Sequence, residues 1–135
     1  MQDEGSDALI ARRVIAPSTR IFLIKFLPFQ NGCFIIVAEN SNRIGSMYVS
    51  IASSNKVSTA KVIPSKFDSV FINTISERIS SMINGICLVC VHSVEHLHID
   101  DMKAIMEEIM NLVGKKDEGD YNKQNRSFRE QRRLT

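Results

Sequence analysis

No apolar run in this sequence approaches the ~20 residues that cross a bilayer as a helix. The six glycines, at positions 5, 32, 45, 85, 114 and 119, stand singly, so no glycine-rich loop is present to cradle a phosphate. Cysteine is scarce: Cys33, Cys87 and Cys90 make an odd number, with no disulfide framework in their spacing. A reducing compartment is the expectation from that usage. The opening, Met1 to Asp7, is acidic and polar rather than basic and apolar, unlike a secretory leader, which points to the cytosol or nucleus. Net charge is only +2, too small to name an electrostatic partner.

What remains is the composition of one ordinary folded domain. The chain has 135 residues, 44% hydrophobic and 24% charged, enough to bury a core without staples. Residues 1–18 show no sustained pattern, and Pro17 breaks any helix begun there, so they read as a flexible lead-in. Residues 19–27 and 33–38 are short and rich in β-branched and aromatic side chains, and Asn31-Gly32 between them offers the positive φ of a tight hairpin turn. Residues 44–51 alternate: Ser46, Tyr48 and Ser50 on one face, Met47, Val49 and Ile51 on the other. That pattern predicts a strand with Tyr48 on its wetter side. Residues 57–63 make a fourth strand, stopped by Pro64.

From Asp68 the period lengthens, with Ile72, Ile75, Ile79, Met82 and Ile83 on one helical stripe. Asp68 or Ser69 is placed to cap this helix and Gly85 to end it in the left-handed region. Residues 86–92 return to strand character, and Asp100-Asp101 open a last amphipathic helix that ends at Gly114. The predicted order is ββββαβα, an α+β fold with a mainly antiparallel sheet covered by helices on more than one face. The domain spans residues 19–114. Residues 115–135 hold seven Lys/Arg against four Asp/Glu and almost no aliphatic side chains, the composition of a disordered basic tail.

Three constellations invite a chemical reading. Cys87, Cys90, His92, His96 and His98 have donor types that suit zinc, but on a strand positions 87 and 90 point to opposite faces. Core thiols beside a polar loop are the favoured reading, with no metal and no cofactor. Cys33 or Cys90 with a histidine could form a nucleophile and base, yet both lie in apolar runs where desolvation keeps a thiol protonated. No catalytic residues are assigned, and an enzyme is not expected. The tail, with Arg126, Arg129, Arg132, Arg133, Tyr121 and Phe128, supports an alternative of nucleic-acid binding.

Between Thr19 and Val113 the chain also resembles a family. The residues that carry the likeness are CFIIVAEN closing the hairpin, RIGSMYVSIASS, VSTAKVI before its breaker, and FINTISERISSMING running directly into ICLVCV. In that order they resemble the small proteasome-assembly chaperones, members three and four, and lie nearer the fourth. The resemblance implies a non-catalytic, ATP-independent chaperone that forms a heterodimer with a sister proteasome-assembly chaperone. Together the pair would bind 20S proteasome α-type subunits and promote α-ring assembly. The family supplies no motif that marks contact residues. From the residue pattern alone, the candidate protein-interface positions are Tyr48 on the wetter strand face and Glu77 and Arg78 on the exterior of the first helix.

Overall fold

A computed structural model describes residues 9–114; residues 1–8 and the basic segment 115–135 lie outside the described residues. The described chain forms one six-stranded mixed sheet and two helices, an α+β fold. The strands are β1 (Ile10–Ile15), β2 (Ile21–Phe29), β3 (Gly32–Glu39), β4 (Ser46–Ser53), β5 (Lys56–Ile63) and β6 (Ile86–His92). Helix α1 runs Ser69–Ile83 between β5 and β6, and α2 occupies residues 99–114.

Sheet order is β1-β2-β3-β6-β4-β5, and only the central β3–β6 pair is parallel. The three apolar strands, β2, β3 and β6, lie side by side in the interior of the sheet. The more polar β4 and β5 lie toward one edge, as their mixed composition predicts.

The lead-in is corrected in part. Ile10–Ile15 is an edge strand, antiparallel to β2, with Ile10 opposite Phe26 and Val14 opposite Phe22. Its residues are mostly exposed, so it carries little of the apolar alternation by which a strand is recognised. Backbone pairing to β2 and the half-buried Ile10 and Val14 hold it in place.

Gly32, expected in the hairpin turn, and Gly85, expected at the left-handed end of the first helix, serve instead as close-approach residues. The β2–β3 turn is made by Gln30-Asn31, and Gly32 already belongs to β3 without a positive φ. A Cβ on Gly32 would stand 2.1 Å from the Ile86 carbonyl oxygen, so only glycine lets β6 and β3 pair here. At the end of α1 it is Asn84 that enters the left-handed region (φ 50°), its neighbour Gly85 sending its N–H to the Ser80 carbonyl at 3.1 Å. A Cβ on Gly85 would meet the Asn31 carbonyl oxygen at 2.5 Å. The β4–β5 turn uses positive φ at both Ser54 (50°) and Asn55 (67°), the geometry of a type I′ hairpin.

Both helices lie on the same side of the sheet. The core consists of Phe22, Ile24 and Phe26 of β2, Ile35 and Val37 of β3, Val89 and Val91 of β6 and Tyr48 of β4. These pack with Ile72, Ile75 and Ile79 of α1 and Ile105, Ile109 and Leu112 of α2. The expectation that helices cover more than one face is therefore wrong. Strands apolar on both sides imply cover on both sides, but the second apolar side has none among the described residues.

Candidate functional site

The uncovered side of the sheet is the candidate site. Strand register places directly opposed residues on one face. One row across it reads Leu27, Phe34, Leu88, Val49 and Ala60, and the next reads Ala11, Lys25, Ile36, Cys90 and Met47. A third row holds Gly32, Ile86 and Ile51. None of these residues belongs to the core cluster beneath the helices. Most are half-buried by their neighbours in the sheet, while Ile15, Ile51, Phe29 and Ile63 are openly exposed, Ile51 at 48%. With strands ~4.8 Å apart and ~3.3 Å per residue, a face of this size covers about 600 Å². That approaches the ~800 Å² per partner of a standard protein interface. Apolar faces at this upper end of what a monomer exposes are often functional.

The alternation in β4 is thereby inverted from its sequence reading. Tyr48 does not face water: it is fully buried under α1, its hydroxyl 3.2 Å from that of Ser65. Lys61 lies 5.7 Å from its ring centre. Ser50 is equally buried, its hydroxyl 2.7 Å from that of Thr59 and donating to Ser76 Oγ at 2.8 Å; Ser76 donates in turn to the Asn73 carbonyl at 3.0 Å. Small hydroxyls that satisfy one another can be buried at little cost, so the polar face turned inward. Met47, Val49 and Ile51 turned outward. The proposed interface position Tyr48 is therefore a core residue. Glu77 is half-buried at the end of the same hydroxyl network, accepting from Thr59 Oγ1 at 3.3 Å. Arg78 is exposed on α1, on the far side of the molecule from the open sheet face. The outward alternation of Met47, Val49 and Ile51 was the sequence signal for the open face.

A charged clamp fixes the helix-covered side. Arg20 meets Glu39 through two bonds, Nη2 to Oε1 at 2.6 Å and Nε to Oε2 at 2.8 Å; Nη1 also donates to the His96 carbonyl, and Nη2 to the Glu95 carbonyl. Glu39 also accepts from the Val94 N–H at 2.9 Å. The Arg20 contact holds the Glu39 pKa below its ordinary value against the opposing effect of burial, and the Glu39 bond raises that of Arg20. Asp101 at the start of α2 is fully buried. Burial opposes its ionisation, but hydrogen bonds from the Ser18 hydroxyl and from the Ser18 and His98 backbones outweigh it, and its pKa is lowered. Asp68 stands at the N-cap of α1, yet its carboxylate does not cap that helix. It accepts from the Leu97 N–H at 2.9 Å and so ties the β6–α2 loop to the start of α1.

A half-open cleft of about 730 Å³ lies beside this clamp, lined by Asn40, Arg43, Lys66, Asp68 and His92 among others. The carboxylates at its wall, Glu39 and Asp68, are already committed to protein donors. The cysteines divide between the faces. Cys87 Sγ lies 3.9 Å from Cys33 Sγ in the core, whereas Cys90 Sγ accepts from the Gly45 N–H at 3.3 Å. The Cys33 contact and then burial push the Cys87 thiol pKa far up, leaving an unreactive protonated thiol. His96 bonds Asp68 at 3.4 Å and packs edge-on against Phe67 at 4.7 Å. The tail on which nucleic-acid binding rested lies outside the described residues. Among those described, no helix is long and apolar enough to cross a membrane.

No protein-family model matches the chain, and no curated protein matches it in sequence. In fold it is similar to a chain from the crystal structure of a chaperone complex for yeast 20S proteasome assembly. The TM-score is 0.56 at 15% identity, covering 80% of this chain and 97% of that one. At that identity the likeness is one of fold.

Proposed function

We propose that this protein is a non-catalytic chaperone of proteasome assembly, of the kind represented by the third and fourth members of that family. It pairs with a related small subunit through its open sheet face, and the pair binds 20S α-type subunits and promotes formation of the α-ring in the cytosol or nucleus. The observation that carries this reading is the uncovered apolar face on a fold like that of a chain in a proteasome-assembly chaperone complex. A sheet with helices on one side and apolar residues on the other completes its layering when a second such sheet packs on it, at ~10 Å separation.

The remaining groups fit a binding role. The clamp residues and the cleft carboxylates are engaged within the protein, and the Cys87 thiol is held protonated. Glu77 and Arg78 remain candidates for a second contact, with the α-type subunits, because they lie away from the face that takes the sister subunit.

The test is affinity purification of the full chain with identification of what accompanies it. The expected result is a second small chaperone together with unassembled α-type subunits, without mature particles. Recovery of mature 20S particles alone, or of no proteasome subunit, contradicts the reading.

A further inference from the structure

The charges on the open face all have one sign. By register the face carries Arg13 on β1, Lys25 on β2 and Lys56 on β5, and none of its described residues is an aspartate or glutamate. Arg13 and Lys56 sit at the two edges and are exposed. Lys25 does not. It is half-buried inside the apolar area, directly between Ala11 and Ile36 across the sheet, with Leu23 and Leu27 before and after it on the same face. Its ammonium donates to Asn42 Oδ1 at 3.2 Å. A neutral amide satisfies one of three donors and leaves the charge uncompensated.

A sheet packed on this face removes Lys25 from water, which is costly unless a carboxylate meets it. A second copy of this face brings another Lys25 and, among its described residues, no acid. The chain's own ends do not fit either. Residues 115–135 are net basic, and residues 1–8 supply Asp3, Glu4 and Asp7 but only Met1 and Ala8 as apolar cover. Building on the pairing reading above, we propose that Lys25 selects the partner. The face accepts a related sheet from a different chain that places a carboxylate opposite Lys25, and the buried charge disfavours pairing with itself.

The test is sedimentation equilibrium of the purified full chain, wild type against Lys25→Met, with Lys25→Gln as a second neutral variant and circular dichroism to confirm folding. Wild type is expected to sediment as a monomer in the micromolar range. Lys25→Met is expected to self-associate about 100-fold more tightly, because the like-charge and desolvation penalties are gone. Lys25→Gln should fall between the two. A tight wild-type homodimer overturns the proposal, as does a Lys25→Met chain no more associated than wild type. Self-association released instead by deleting residues 1–8 or 115–135 also overturns it, since the occupant would then be the chain's own terminus. These outcomes are separable from the chaperone reading. Loss of proteasome partners in the purification removes that reading, whereas an unchanged Lys25→Met with partners retained removes only the role of Lys25.

Discussion

Arg20 ties together parts of the chain that are distant in sequence, reaching Glu39 on β3 and the carbonyls of Glu95 and His96 in the β6–α2 loop. Its guanidinium also lies 5.5 Å from the Phe22 ring centre. Removing one partner of a buried ion pair leaves the other charge unpaired, so Arg20→Ala should lower stability by ~3–5 kcal/mol, read by urea unfolding. Glu39 and Asp101 both have lowered folded-state pKa values. In that case the unfolded chain binds more protons, and stability rises with pH through the acid range. Their contribution is fully present above the ordinary carboxylate pKa of ~4 and is lost as pH falls through the depressed folded values. Glu39→Gln should therefore be less stable at neutral pH and should lose less on acidification than wild type. An unchanged acid slope in that variant would show that Glu39 is not linked to folding.

At the level of elements, the β2–β3 turn and the end of α1 meet through two glycines whose absent side chains let backbone approach backbone. Gly32→Ala puts a Cβ against the Ile86 carbonyl, which belongs to a strand and cannot step aside. Overpacking of this kind costs ~1–3 kcal/mol, expected here as a lower unfolding midpoint with α1 still formed. Gly114→Ala, where a Cβ meets nothing, should be silent by the same measurement. These elements also show what could be read beforehand. The period of α1 and the apolar strands β2, β3 and β6 were legible because burial leaves a repeat in the sequence. The edge strand β1 was not, since Ala11-Arg12-Arg13 pairs by backbone and buries almost nothing. In β4 the alternation itself was legible but its direction was not. Periodicity says which residues share a face, and only tertiary packing decides whether Tyr48 and Ser50 or Val49 and Ile51 look inward.

Among the described residues the molecule holds two layers of a three-layer arrangement: helices, sheet, then an apolar face with no cover. Such a surface tolerates charge in the isolated chain better than the core does. Leu88→Glu or Val49→Asp should keep the monomer folded, while Ile35→Asp, fully buried under the helices, should unfold it. Circular dichroism and thermal melting separate the two cases. The site was not legible in the sequence, because Leu27, Phe34, Leu88 and Val49 come from four strands that only the β3–β6 and β6–β4 pairings bring into one row.

The central claim is that the open face is where this protein meets its partner. Its most direct test compares what co-purifies with wild type and with Leu88→Glu, once the variant is shown to be folded. The account predicts that a second small chaperone and free α-type subunits accompany wild type, and that Leu88→Glu loses the small chaperone. A folded Leu88→Glu that retains the same partners in the same amounts would contradict it.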